Sequence, residues 1–457
     1  MLIYIKVNFK TQNNNNNNIK HSNLILEDKL MSTFKLKNKV ALLAVGSALS
    51  LLPATVMATN GYFSHGVGIK SKAMAGVGIA KSGDALAAGT NPANMVIVGN
   101  RVDFGIDYFT PDREATLQGT KYEGNEDESF LIPEFGYNQM INETMSVGVS
   151  VYGNGGMNTK YKQIIGLFSG STGIQTGMNL EQLFIAPTFS MKVNDKNTFG
   201  VSLNVIQQKF RAYGLGNFDN AAQTSAVGFV TDNGDDTSVG FNIRLGWNMK
   251  VSDMVSLGAM YQSKADMEKF DKYKGLFAEQ GDFDIPSTYG IGINVAATPA
   301  INVGFDIVKI NYTDVASVSN KLGGATAGGV LNNTLGSDNG AGFGWEDMTV
   351  YKLGASFEIN SQFTVLAGWN HGAQPIPASE TFFNIIAPAV VEDHYTLGLT
   401  WSLANNSELT FMYMYAPETT VKSTSAIPDA FNSGAPGGQS DLSMSQTSYG
   451  VAYGWNF

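Results

Sequence analysis

An all-β fold, a 14-stranded antiparallel transmembrane β-barrel with an N-terminal hatch (plug) inside the lumen, is what three features of the sequence predict. A two-residue apolar period keeps returning, the links between periodic segments alternate short and long, and one early stretch is too small in its side chains to fold alone. Composition agrees. Only 15% of the 457 residues are charged, too few to cover a water-soluble surface, yet no run of about 18 apolar residues could form a spanning helix. A barrel resolves the conflict, because only every second strand residue meets lipid.

Residues 1–30 hold the run Asn13 to Asn18 and read as a low-complexity or upstream-translated segment, leaving Met1 and Met31 as alternative starts. Residues 31–58 read as a cleaved signal peptide: Lys35, Lys37 and Lys39 form the basic region, Val40 to Leu52 the apolar region, and Val56-Met57-Ala58 the small-residue cleavage site. Its removal takes seven of the 29 basic and two of the 39 acidic residues, leaving 22 against 37 and a formal charge of −15. That sign excludes a nucleic-acid partner. Cysteine is absent, which removes disulfides, thiolate metal sites and Cys nucleophiles.

The stretch Thr59–Val98, rich in Gly and Ala, is assigned with its flank to the hatch, residues 59–100, and residues 101–457 to the barrel. From Arg101 onward, Val102, Phe104, Ile106 and Tyr108 alternate with Asp103, Gly105 and Asp107. The same period recurs in Phe199-Val201-Leu203-Val205, Val239-Phe241-Ile243-Leu245-Trp247 and Tyr351-Leu353-Ala355-Phe357, among others. It turns one apolar face outward and one small or polar face inward. Short links are expected near residues 140–143, 194–197, 249–253, 298–300, 360–362 and 404–406. Long ones are expected at 110–128, 154–180, 211–237, 264–286, 311–347, 372–392 and 416–446. Short periplasmic turns and long external loops, with an even strand count, put both ends on the periplasmic side of a Gram-negative outer membrane. Tyr449, Val451, Tyr453, Trp455 and the terminal Phe457 share one face. This pattern resembles the signal read by barrel-assembly machinery.

A barrel of about 14 strands is too wide for its own side chains to fill, and the early stretch supplies the filling. TNGYFSHGVGIKSKAMAGVGIAKSGDALAAGTNPANM resembles the N-terminal hatch of the FadL/TodX family of outer-membrane transporters for long-chain fatty acids and aromatic hydrocarbons, with Asn91-Pro92-Ala93 at the family's Asn-Pro-Ala signature. Further similar stretches are Val151 to Met157, Gly275 to Gly281 with Asp284 to Pro286, and Gln374 to Pro377 with Asn384 to Pro388. Asn94 departs from the family's usual Gly. The resemblance implies passive uptake: capture among external loops, binding in the lumen against the hatch, and sideways release through a wall gap into the bilayer. An acyl chain gains about 0.8 kcal/mol per buried CH₂, so release into lipid is downhill compared with release into water.

Several residues are candidates for these steps. Asn60, Tyr62 and Phe63 start the hatch, and the two rings contact ligand or anchor the hatch to the wall. Asn91, Pro92 and Ala93 are assigned as the hatch hinge, with Asn91-Pro92 fixing a turn where the plug enters the barrel or else touching ligand. Gly153, Asn154, Gly155 and Gly156 suit either a kink forming the lateral gate or a flexible loop start. Arg244 and Lys352 point inward by alternation and serve a carboxylate headgroup, or lumenal ion pairs with residues such as Glu358 and Asp103. Ile164 to Phe168, with Leu167 and Phe168, and Phe382 to Ile386, with Phe382 and Phe383, are apolar where loops are usually polar, as an exposed capture groove or as loops packed on each other. The acidic runs Glu126 to Glu128 and Asp232 to Asp236 are divalent chelators or solvated loop charge. His65, His371 and His394 show no metal-ligand spacing, and no Gly-x-Ser-x-Gly or Ser/His/Asp arrangement stands out. The expectation is therefore neither an enzyme nor a cofactor protein, but a monomeric transporter whose partners are a hydrophobic small molecule, membrane lipid and lipopolysaccharide. A general diffusion porin and an adhesin or structural barrel are the rival readings.

Overall fold

The computed structural model describes residues 60–81, 83–324, 330–428, 431 and 437–457; the low-complexity segment 1–30 and the signal peptide 31–58 lie outside the described residues. Fourteen strands form one antiparallel sheet whose first and last members pair, closing the barrel. They are β1 (Arg101–Leu117), β2 (Phe130–Asn142), β3 (Met145–Lys160), β4 (Gly177–Lys192), β5 (Asn197–Tyr213), β6 (Asp236–Lys250) and β7 (Val255–Gln262). The second half comprises β8 (Thr288–Thr298), β9 (Ile301–Ile310), β10 (Met348–Glu358), β11 (Phe363–Gly372), β12 (Asp393–Ser402), β13 (Ser407–Val421) and β14 (Ser440–Asn456). Two short strands sit outside this ring, Thr120–Glu123 folded back on β1 and Asp266–Met267 on β6.

The outward face carries the apolar members of each alternation. Phe104, Ile106, Leu203, Phe241, Ile243, Leu397 and Tyr449 are all exposed, as residues facing acyl chains must be. Several strands run past the bilayer-crossing length of about 9–11 residues. β1 and β14 have 17 residues each. The long links expected from residues 110, 154 and 416 therefore begin as continued strand. Their inward residues explain why: Phe109, Ala115, Leu117 and Met157 are buried, so the ladder continues wherever loop side chains cover its inner face.

Residues 60–98 touch all fourteen strands. A Cβ added at Gly136, Gly148, Gly200, Gly246, Gly258, Gly290, Gly304, Gly354, Gly368, Gly398 or Gly450 would crowd an atom of this segment. Those eleven glycines come from eleven different strands. On the remaining three, Asp107 and Asp103 of β1, Ser190 of β4 and Glu408 of β13 bond Lys72, Ala85, Ala93 and Lys70 respectively. The segment thus fills the ring where the wall gives up side chains to let backbone approach. Its own secondary structure is slight, single turns such as Ile69–Lys72 and Met95–Val98. Its shape is held by the wall.

Ion pairs reinforce that hold. Lys72 Nζ lies 3.0 Å from Asp107 and 3.7 Å from Glu134, all three nearly inaccessible to solvent. Lys70 and Arg101 share Glu408. At one end of the ring the long loops build a second, aromatic core. Phe382, Phe168, Phe218, Phe383 and Phe343 pack ring to ring in that order at centroid separations between 4.9 and 5.4 Å.

Candidate functional site at the wall interruption

The β2–β3 ladder runs from the turn at Asn142↔Met145 up to Phe135↔Val151 and stops. β2 continues on β1 down to Phe109↔Phe130, and β3 continues on β4 to Lys160↔Gly177. Tyr152–Lys160 and Phe130–Glu134 therefore leave the ring unpaired with each other. Two local features produce the split. Asn154 is an extra residue on β3, with the register against β4 shifting between Gly153 and Gly155, and such a bulge bends its strand. Pro133 lies in the abandoned part of β2, where a residue without an N–H is tolerated because the edge need not donate.

Part of the vacated β3 edge is taken by the N-terminal segment. Ser64 N donates to Asn154 O at 2.8 Å and Gly156 N donates to Tyr62 O at 2.9 Å, with Phe63 opposite Gly155. A side chain at Gly155 would collide with the Tyr62 carbonyl, so glycine there permits the docking. Tyr62 is fully buried in an aromatic box of Phe63, Phe283, Tyr312 and Trp345, at 5.2 to 6.0 Å between centroids. Tyr312 Oη accepts from Tyr62 N at 3.2 Å and donates to Asn60 O.

Beside this docked backbone lies a cavity of about 60 Å³ lined by Asn60, Phe63, Asn154, Arg244, Asp306 and Lys352, among others. Five residues singled out from sequence for three separate reasons thus meet at one point. Among the described residues neither cation forms a lumenal ion pair, which corrects the alternative role. Arg244 donates to Ala88 O and Tyr152 Oη, both at 3.1 Å, and to Gln262, while its Nε has no partner. Lys352 Nζ donates to His65 O at 2.9 Å. The expected partners are engaged elsewhere: Asp103 binds Arg101, and Glu358 lies near Lys81. Asp306, opposite Lys352 in register, turns one oxygen to the amides of Gly78 and Ile79. A buried guanidinium held only by neutral acceptors retains most of its attraction for an anion.

The other candidates fall away from this point. Asn91 caps the turn at Pro92, accepting from Ala93 N at 3.0 Å and donating to Ile79 O and Trp247 O at 2.7 and 3.0 Å. Of the two readings, this clamped geometry matches the fixed turn. Phe168, Phe382 and Phe383 are buried and Leu167 is partly buried, which corrects the exposed groove: the apolar loop runs pack on each other because apolar surface on both sides is removed from water together. The acidic runs form no metal cluster among the described residues; Glu126 and Glu128 pair with Lys160 and Lys162, and Asp235 with Lys209 and Arg211. Tyr152 and Asp306 were missed, since a tyrosine and an aspartate in alternating strands give no local sign of what they face.

The chain is similar to the toluene transporter TodX of Pseudomonas putida (20% identity, TM-score 0.65, covering 87% of this chain and 100% of that one). It is also similar to the toluene transporter TbuX of Ralstonia pickettii (17%, 0.62, 86% and 99%) and to a Pseudomonas aeruginosa FadL homologue (15%, 0.63, 87% and 100%). At these identities the likeness is one of fold. No significantly similar sequence is found among curated proteins. The model of the outer membrane protein transport family (OMPP1/FadL/TodX) matches residues 54–457, which takes in the whole of the barrel and its filling, and the protein therefore belongs to that family of outer-membrane transport proteins.

Proposed function

We propose that the protein carries hydrophobic small molecules, long-chain fatty acids or hydrocarbons, passively across the outer membrane, and releases them sideways into the bilayer. The observation that carries this reading is the interrupted β2–β3 ladder with Tyr62–Ser64 docked on its edge beside the Arg244–Lys352 cavity. In this reading residues 59–100 are the hatch. Ligand binding displaces Asn60, Tyr62 and Phe63, which enlarges a cavity too small for an acyl chain as it stands. Gly153 to Gly156 form the lateral gate, Asn91 to Ala93 anchor the hatch while its N-terminus moves, and the loop residues Leu167, Phe168, Phe382 and Phe383 separate to admit the ligand. Arg244 and Lys352 hold a carboxylate, because each lacks an anionic partner of its own and a charged hydrogen bond there contributes about 1.5–3 kcal/mol. The terminal strand engages the assembly machinery through Phe457, and lipid and lipopolysaccharide surround a monomer with both ends in the periplasm.

Deleting Asn60 to Phe63 tests the reading. Binding of oleate or toluene to the purified protein should fall at least tenfold while the barrel still assembles and shifts on heating. Unchanged affinity would reduce the segment to a stopper. Passage of small sugars into liposomes carrying the intact protein would instead favour a diffusion porin.

A further inference from the structure

His65, in the N-terminal segment, and His394, on the inward face of β12, are both fully buried and lie ring on ring, 5.7 Å between centroids and 12° from parallel. Three of their four ring nitrogens have no hydrogen-bond partner; His65 Nε2 lies 3.4 Å from Lys72 O. The pair therefore sits across the joint between segment and wall with only two neutral acceptors, the Lys72 carbonyl and the Gln446 amide, within reach of a ring proton. Its nearest charges are two cations, with one carboxylate, Asp393, engaged by another histidine. From the segment comes Lys72, whose ammonium is turned to Asp107 of β1 and Glu134 of β2. From β10 comes Lys352, bound to the His65 carbonyl, with Asp306 of β9 beyond it, one oxygen on backbone amides and the other without a partner. Asn370 of β11 and Gln446 of β14 are the neutral polar neighbours, and Asp393, next in β12, binds His371 at 3.0 Å. No carboxylate bonds either of the two stacked rings.

We propose that His65 and His394 form an acid-operated latch: neutral, they stack and seat the hatch against β12, and protonation of either ring unseats it. An imidazolium there would be buried beside two ammonium groups with no counter-ion, a costly arrangement. Burial, with Lys72 and Lys352 adding to it, pushes His65 down to about 3. A histidine released into water titrates near 6.5. For His65 the seated state thus binds fewer protons than the released one between those values, so acid favours release by up to tenfold per pH unit below about pH 6.5. Asp84 works in the opposite sense, since burial and Asp103 raise it to about 7 in the seated segment, and acid there favours seating.

The chain has no cysteine, so one introduced thiol reports cleanly. Ala73→Cys, at a fully buried position facing Gly398 of β12, is combined with Asp84→Asn to remove the opposing group. Labelling by a polar maleimide in detergent micelles is normalised to Asp253→Cys, a side chain 96% exposed. Labelling should be about 30-fold faster at pH 5 than at pH 7.5, from the 1.5 units between pH 5 and the released histidine. In His65→Phe/His394→Phe it should change less than threefold. Where that double variant fails to assemble, His394→Gln replaces it and must cut the acid response at least threefold. An acid response that survives these changes, or none in the parent, overturns the latch. The latch rests on the reading of residues 59–100 as a moving hatch; oleate that speeds labelling at pH 7.5 upholds that reading even if the acid response fails, and oleate without effect sinks it.

Discussion

Two seams of the barrel invite comparison. The seam between β14 and β1 joins strands nearly the whole barrel apart in sequence, and it is paired at every residue of β1 from Arg101↔Asn456 to Leu117↔Ser440. The seam between β2 and β3 joins neighbours linked by a two-residue turn, and it parts at Phe135↔Val151 with most of β3 still to run. Covalent proximity therefore does not decide where the wall is tight. The tight seam is built from unbroken alternation. The loose one carries a bulge at Asn154, glycines at 153, 155 and 156, and Pro133, residues that each weaken a ladder for a different reason. The hydrogen bonds lost there are partly recovered from Tyr62 and Ser64, so under the proposed function the same edge would serve hatch and gate in turn.

Locking the loose seam should have the largest effect. A Cβ at Gly153 would lie 3.3 Å from Ile132 Cγ2, within disulfide reach, so oxidised Ile132→Cys/Gly153→Cys should lose uptake at least tenfold and regain it on reduction, with affinity changed less than twofold; full uptake in the oxidised form would exclude lateral release. Next, Arg244→Ala should weaken oleate by about 10–100-fold, the equivalent of a charged hydrogen bond of about 1.5–3 kcal/mol, and toluene less than twofold in calorimetric titrations. An equal loss for both would mean that Arg244 only supports the fold. Gly155→Ala should crowd Tyr62 O and cost docking about 1–3 kcal/mol, read as cleavage of the N-terminal segment by dilute protease about 5–100-fold faster than in the parent. The closed seam gives the smallest response: Tyr449→Ala, which removes a ring opposite Tyr108 across that seam and 5.3 Å from Tyr413 of β13, should lower the stability to heat-driven unfolding by about 0.5–1.5 kcal/mol and leave uptake within twofold.

The barrel was legible because its outward residues must be apolar whatever the partner strand is, so each strand announces itself locally. Phe199 to Val205 and Tyr449 to Trp455 needed nothing beyond alternation. Strand ends were less legible, since above the bilayer the outward residues turn polar and only the buried inward ones, Ala115 and Leu117 for instance, keep the ladder going. The glycines at 153 to 156 marked a kink without saying which neighbour departs; that depends on register with β2. The inward placement of Arg244 and Lys352 followed from period two, whereas their lack of carboxylate partners is a three-dimensional fact. Phe382 and Phe383 misled as an open groove because apolarity in a loop gives no sign of whether another loop covers it.

The eleven glycines around the N-terminal segment also set how the channel fails. Where a strand meets the segment with a glycine it has no side chain of its own to swing into a breach, so a strand that loses contact there leaves the gap unfilled. Electrically, such a plug should behave as a switch: quiet while seated, and on losing a contact stepping to a discrete conductance rather than leaking by degrees. Single-channel recording across a planar bilayer would see the glycine belt as the size of that step.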